Sequence, residues 1–185
     1  INNPEGSHEL VAEATVMMQV NGHPNLVSII GVITTGTPLV LVLQYCELGA
    51  LNIYLKKTFA SGKEIEMDTK MGMAQGVADG MAHLVDLQFI HRDLAARNIL
   101  LSHGKGGNVV CKIADFGLSR GANNETDANE DNENYYKSSS GVFPVRWTSP
   151  EAMETLKFSI ASDIWSFGIV VIEMLINGES PYPGM

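Results

Sequence analysis

Apolar side chains at Leu10, Val11, Ala14, Met17 and Met18 recur at the three-to-four-residue spacing of a helix with one buried face. Asn21-Gly22-His23-Pro24 ends that pattern, because glycine suits a helix C-cap and proline cannot continue the helix. Two β-branched and aliphatic runs follow, residues 26–33 and 39–45, on either side of Thr34-Thr35-Gly36-Thr37-Pro38. They predict a pair of antiparallel strands joined by a turn. Residues 50–57 read as a short helix and Ser61-Gly62-Lys63 as a loop. Met71, Ala74, Ala78, Met81 and Val85 then step by three and four, predicting a long amphipathic helix whose methionines fill the core. Gly72, Gly76 and Gly80 step by four along that helix. Each weakens it by roughly 1 kcal/mol relative to alanine, which points to close packing against their face.

Further along, short apolar runs at residues 99–101 and 109–113 flank Gly104-Lys105-Gly106-Gly107-Asn108. The Gly-x-Gly there has a strand on each side and no helix after it, so it reads as a hairpin turn rather than a phosphate loop. Residues 160–176 predict a last helix. Its most apolar part, residues 164–176, falls short of the roughly 18 apolar residues a membrane span needs and contains Glu173, so it reads as a buried core helix. Asn177-Gly178 stops it ahead of Ser180-Pro181-Tyr182-Pro183. Residues 121–134 hold no large apolar side chain and are expected to be solvated and mobile.

With 185 residues, 45% hydrophobic, the chain can bury one sizeable core as a single domain or two small lobes. A net charge of −9 argues against a nucleic-acid partner, whose footprint is basic, and five of the acids fall within residues 121–134. Cys46 and Cys111 lie in apolar runs and are too few for a disulfide framework, so they read as reduced, buried thiols of a cytosolic-type domain. Residues 1–10 carry no signal-peptide pattern. The absence of an initiator methionine and the abrupt end at Pro183-Gly184-Met185 lead us to expect a fragment.

The chemistry concentrates in His91-Arg92-Asp93-Leu94-Ala95-Ala96-Arg97-Asn98 and in Asp115-Phe116-Gly117. Asp93 is a potential proton acceptor, and Asn98 carries an amide oxygen able to ligate a metal. A hairpin built from the two apolar runs brings Asn98 and Asp115 to the same end, making a two-residue cation site beside Asp93. Hard divalent cations prefer such oxygen ligands, few per site, with phosphate supplying the rest.

His-Arg-Asp-Leu-x-x-x-Asn followed by Asp-Phe-Gly resembles the catalytic and magnesium loops of protein kinases. The resemblance implies an α+β, bilobal fold within a single partial kinase domain over residues 1–185. Residues 1–43 would be an N-lobe remnant (a helix plus strands), 44–49 the hinge and 50–185 a mostly helical C-lobe, with an activation segment at 115–151. In that frame Asp93, Arg97 and Asn98 are catalytic, and Asn98 and Asp115 hold magnesium, with manganese as an alternative. ATP is contacted by Glu13, Leu43 (the gatekeeper), Gln44, Tyr45, Cys46, Arg97, Leu100 and Asp115, with Leu100 under adenine. Glu13 would be the ion-pair glutamate that holds a phosphate-gripping lysine. His91, Phe116, Gly117 and Glu151 are structural, and Asp163 ties down the catalytic-loop backbone. Arg92 before the aspartate implies control through phosphorylation of the activation loop.

Ala95-Ala96-Arg97, where serine/threonine kinases usually carry Lys-Pro-Glu, resembles protein-tyrosine kinases. So do the substrate platform Pro144-Val145-Arg146-Trp147 and Ser162-Asp163-Ile164-Trp165-Ser166-Phe167-Gly168. The family reading gives transfer of the γ-phosphate of ATP to tyrosine hydroxyls of protein substrates. It adds trans-phosphorylation of Tyr135 and Tyr136 by a second kinase molecule, and a cytoplasmic catalytic domain of either a membrane receptor or a cytosolic kinase, with no membrane span in this segment. Three features depart from the pattern. The segment from Asp115 to Glu151 is longer than usual, Ser149-Pro150-Glu151 replaces Ala-Pro-Glu, and neither a Gly-rich loop nor a Val-Ala-Ile-Lys is present. Glu13 therefore lacks its lysine, and Glu151 lacks the arginine that normally lies further along the C-lobe. These 185 residues alone are expected to be inactive. The alternative reading is a pseudokinase-like scaffold or binding module, against which the intact Asp93, Asn98 and Asp115 argue.

Overall fold

The computed structural model describes residues 4–34, 39–117, 119–121, 136–137 and 144–184. It is an α+β fold. Helix α1 (Pro4–Val20) precedes an antiparallel pair, β1 (Ile29–Ile33) and β2 (Val40–Leu43), which has a bulge between Ile29 and Gly31. A three-stranded sheet of order β3-β5-β6 is built from β3 (Gly49–Ala50), β5 (Ile99–His103) and β6 (Val109–Ile113). Between β3 and β5 lie α2 (Leu51–Ala60), α3 (Met67–Asp86) and β4 (Phe89–Ile90). Strand β7 (Arg120–Gly121) pairs with β4, and β8 (Tyr136–Lys137) pairs with β9 (Lys157–Phe158), which follows α4 (Pro150–Thr155). Helix α5 (Ile160–Leu175) closes the order, its start fixed by a capping box between Ser159 and Ser162. One apolar core runs from Val16, Met17 and Val20 of α1 through Leu51, Leu55, Val77 and Leu84 to Val170 and Met174 of α5, with Phe116 fully enclosed in it.

Several faces differ from the sequence expectation. In α1 the inward side chains are Ala14, Val16, Met17 and Val20, while Val11 and Met18 point outward. In α3 the buried face is Lys70, Met73, Val77, Gly80, Met81 and Leu84, and Met71 is 64% exposed. The methionine stripe is thus rotated, because methionine and alanine at neighbouring positions satisfy the same three-four spacing on two adjacent faces. Helix α5 is buried on one side only. Ile164, Trp165, Ile172 and Leu175 are exposed, whereas Ser162, Asp163, Ser166 and Glu173 are enclosed.

Leu26 and Val27, expected to open a strand toward β2, turn instead to the β5–β6 hairpin, and the pairing toward β2 begins only at Ser28, whose carbonyl accepts Gln44 N. Val27 N donates to Ile113 O at 2.8 Å, Ile113 N donates to Asn25 O at 2.8 Å, and Leu26 bridges Ile113 in parallel. Asn25 is what the α3 glycines admit. Its Nδ2 reaches Cys111 O at 2.9 Å across the helix, and a Cβ on Gly80 would stand 2.9 Å from both Asn25 O and Ile113 Cδ1. Gly76 is similarly close to the Asn25 amide, while Gly72 faces open space. The Gly104–Asn108 segment is the hairpin turn expected, with Gly106 and Gly107 at positive φ. Residues 122–134, of the expected mobile run, and Tyr135 lie outside the described residues.

Candidate active site

Strand β4 delivers the chain into residues 91–98, and a single 3-10 turn, Ala96–Asn98, hands it on to β5. The β5–β6 register pairs Ile99 with Ile113, so Asn98 and Ala114 leave the hairpin side by side, with Ala114 N donating to Asn98 O at 2.8 Å. Asp115 comes next, exposed and at φ 61°. The hairpin therefore brings Asn98 and Asp115 to one end, beside Asp93.

Asp93 is gripped on both oxygens. The Arg97 guanidinium pairs with Oδ1, and Asn98 Nδ2 donates to Oδ2 and to the Asp93 carbonyl, each at 2.8 Å. Burial pushes the Asp93 carboxyl above its ordinary range, and Arg97 and the Asn98 amide oppose that push. His91 is fully buried. Its Nδ1 accepts the Asp93 amide at 3.3 Å, its Nε2 lies 3.2 Å from Ala114 O, and its ring tilts against Phe116. One neutral tautomer, protonated on Nε2, satisfies both contacts, and burial lowers the His91 pKa. His91 therefore packs the loop. Gly117 N approaches Asp115 Oδ1 at 3.4 Å.

The loop is anchored from α5. Asp163, 2% exposed, accepts the His91 amide at 2.6 Å on Oδ2 and the Arg92 amide at 2.9 Å on Oδ1. Arg92 sits at φ 71° with its guanidinium 4.8 Å over the Phe158 ring. Next to Arg97 lies the segment that opens with Pro144. Trp147 N donates to Pro144 O at 2.9 Å, the Arg97 guanidinium stacks 4.5 Å from the Trp147 ring centroid, and Arg146 Nη1 donates to Ser180 Oγ at 2.5 Å. Val145 is exposed.

Leu100 is half-buried on β5 and packs against the core. Leu43 ends β2 and is partly exposed, Gln44 N donates to Ser28 O at 2.9 Å, Tyr45 is 82% exposed and Cys46 is buried. Burial, and then the Asp115 charge, raise the Glu13 pKa, so Glu13 of α1 stands within electrostatic reach of Asp115. Glu151 is exposed on α4. Tyr136 lies in β8.

Glu173 was missed. The sequence offered it only as a charge that interrupts an apolar helix. In the fold it is 3% exposed, and its Oε2 accepts both the Ala96 amide (2.8 Å) and Trp147 Nε1 (2.9 Å). A lone acid inside an apolar helical run was the available signal, since such a group is rarely buried without partners.

The sequence matches the family described as "Protein tyrosine and serine/threonine kinase" over residues 2–185. The chain belongs to that kinase family. It is 44% identical over 174 residues to ephrin type-A receptor 7 of Gallus gallus, covering 94% of this chain and 16% of that receptor. It is 42% identical to ephrin type-A receptor 5 of Homo sapiens over 94% of this chain and 15% of the receptor. Ephrin type-B receptor 2 of Gallus gallus is 40% identical, again over 94% of this chain and 16% of the receptor. The chain thus spans about a sixth of the length of these curated relatives.

Among the described residues no group of three His, Cys, Asp or Glu could hold a metal ion. An exposed carboxylate at Asp115 and an amide at Asn98, whose nitrogen is already turned onto Asp93, offer two oxygen donors. That sparse, all-oxygen set suits a cation that takes its remaining ligands from water and substrate phosphate. No helix among the described residues is long and apolar enough to cross a membrane.

Proposed function

We propose that the chain carries the catalytic core of a protein-tyrosine kinase that transfers the γ-phosphate of ATP to tyrosine hydroxyls of protein substrates. The observation that carries this reading is the grip of Arg97 and Asn98 on Asp93 at the hairpin end shared with Asp115. Phosphoryl transfer asks a protein chiefly to position groups and neutralise charge. Asp93 orients the acceptor phenol and takes its proton as the bond from the phenolic oxygen to the γ-phosphorus forms and the bond to the β-phosphate oxygen breaks, releasing ADP. Asn98 and Asp115 are the residues that would hold Mg2+ (or Mn2+), which supplies charge neutralisation on the phosphates when bound. ATP would lie against Leu43, Gln44, Tyr45, Cys46 and Leu100, with Glu13 and Arg97 nearby, and the peptide against Pro144–Trp147.

The tyrosine preference is supported by Arg97, which reaches Asp93 and stacks on Trp147 and so links the base to the platform. Regulation would run through Tyr135 and Tyr136, phosphorylated in trans by a second copy. Each phosphate adds about −1.5 to −2 charge and oxygens an arginine can pair. Two free, buried thiols support a reducing, cytoplasmic setting. These 185 residues contain neither a Gly-rich loop nor a Val-Ala-Ile-Lys sequence, and we propose that they are inactive alone.

The test is ATP-dependent phosphorylation of tyrosine and serine peptides by the whole protein that carries these residues, with the 185 residues alone expected to be silent. Tyrosine phosphorylation that falls about 10²–10⁴-fold in Asp93→Asn, the usual worth of a positioned general base, supports the reading. Serine-only transfer, or an Asp93→Asn rate equal to wild type, overturns it. Phosphopeptide mass spectrometry that finds phosphate only away from Tyr135 and Tyr136 overturns the regulatory part.

A further inference from the structure

Three parts of the site meet on one carboxylate. Ala96, the residue before Arg97, donates its amide to Glu173 Oε2 at 2.8 Å, and the indole N–H of Trp147 donates to the same oxygen at 2.9 Å. The Trp147 ring then carries the Arg97 guanidinium 4.5 Å from its centroid, and that guanidinium pairs with Asp93. Two routes thus lead from Glu173 to Arg97, one along the loop backbone and one through the indole. Trp147 is held from a second side, since Ser166 of α5 donates its hydroxyl to the Trp147 carbonyl at 2.8 Å.

A satisfied buried carboxylate usually serves folding alone, and two features set this one apart. Its donors come from the catalytic loop and from the platform, segments that do not pair with each other in a sheet or helix. An indole N–H donating to a carboxylate also leaves the ring more electron-rich, which strengthens its hold on a guanidinium above it. Burial raises the Glu173 pKa, and the Trp147 and Ala96 bonds and the charges of Arg97 and Lys56 oppose that rise.

We infer that Glu173 is a positioning residue for phosphoryl transfer: it locks the catalytic loop to the Trp147 platform and thereby sets where Arg97 meets Asp93. Glu173 touches no reacting atom. It acts through Arg97, and its hydrogen bonds go to Ala96 and Trp147 rather than to Leu100 or Asp115. This inference rests on the tyrosine-kinase reading above.

The experiment is steady-state kinetics on the whole protein that carries these residues, with a tyrosine peptide, varying ATP and peptide separately. Glu173→Gln keeps an acceptor oxygen but removes the charge, so both bonds become ordinary neutral ones, about half as strong. It is expected to lower kcat about tenfold or more while KM for ATP stays within about twofold. In an Arg97→Ala background the same substitution is expected to cost less than about threefold, because the residue through which it acts is gone. Equal losses in both backgrounds, or a fall in nucleotide affinity as large as the fall in kcat, would mark a merely structural residue and overturn the inference. Trp147→Phe is the second variant, for use if Glu173→Gln does not fold. It removes the N–H donor and keeps a ring under Arg97, and the expected result is again a several-fold lower kcat with KM for ATP unchanged; a wild-type kcat overturns the inference. An inactive wild type sinks the kinase reading and this inference with it, whereas an active wild type with an unaffected Glu173→Gln sinks the inference alone.

Discussion

Asp163 Oδ1 accepts the backbone amide of Arg92 at 2.9 Å, across 71 positions of sequence, and Arg92 sits at a positive φ. An arginine gains nothing intrinsically from the left-handed region, which costs a side-chain-bearing residue of order 1–3 kcal/mol unless its surroundings over-determine it. Asp163 supplies that constraint, because Oδ2 takes the adjacent His91 amide at 2.6 Å and so fixes two successive peptide units.

Replacing Asp163 by alanine leaves two buried N–H groups without an acceptor. With about 1–3 kcal/mol for each unsatisfied group, Asp163→Ala is expected to lower stability by about 2–5 kcal/mol, measured as a fall in the urea midpoint at constant m-value. Asp163→Asn retains one accepting oxygen and should lose less. A change within about 0.5 kcal/mol for the alanine variant would show that the loop holds its shape without the tether.

The same loop makes stability depend on pH. Burial lowers the His91 pKa, so the unfolded chain, with an ordinary histidine near pH 6.5, takes up the proton first. Between the two pKa values the unfolded state binds more protons, and stability therefore rises with pH there. The contribution is fully present above about pH 6.5 and is lost as pH falls through that value toward the lower, folded-state pKa. His23 is lowered too, by partial burial first and then by His83 stacked on it, and adds in the same direction. Denaturant unfolding of wild type and His91→Asn at pH 7.5 and 5.5 checks the His91 share. The wild type should lose more stability on acidification than the variant, and equal losses would contradict the assignment.

Asn98 and Asp115 could be brought together on paper because a tight hairpin leaves little freedom in where its two ends emerge, and a two-strand register follows from two apolar runs and a glycine turn. Helix faces were harder to read. Met18 and Met71 satisfy the helical period as well as the side chains that are buried, and only the position of the neighbouring elements decides between adjacent faces. Leu26 and Val27 have strand propensity, but propensity does not name a partner, and theirs proved to be Ile113 rather than β2. Glu173 was visible only as an anomaly, since its partners Ala96 and Trp147 lie 77 and 26 positions away and no local pattern links them.

Both thiols follow the sequence expectation into the interior. Cys111, 2% exposed, is pushed up to about 12 by burial, and burial also raises Cys46. Because the thiolate is the reactive form, neither should be alkylated by iodoacetamide at pH 7.5 in the native protein, and both should react in denaturant. Labelling of Cys111 in the folded chain at a rate close to that in denaturant would contradict the packing of β6 against α3.

The glycines of α3 provide a contrast of sign within one helix. Gly72 faces open space, so Gly72→Ala adds helix propensity without a clash and should stabilise by roughly 0.5–1 kcal/mol. Gly80 meets the Asn25 carbonyl and the Ile113 side chain at 2.9 Å from where a Cβ would stand. Ile113 can shift a methyl, but the Asn25 carbonyl is fixed by the amide of Ile113, which donates to it at 2.8 Å. Gly80→Ala must therefore push the 25–27 segment off the hairpin, and overpacking of this kind costs typically about 1–3 kcal/mol beyond the propensity gain. Thermal or urea unfolding of the two variants side by side should move their midpoints in opposite directions. If both moved upward, the segment around Asn25 would have room that the fold denies it, and the link it makes between α1 and the hairpin carrying Asn98 and Asp115 would be loose.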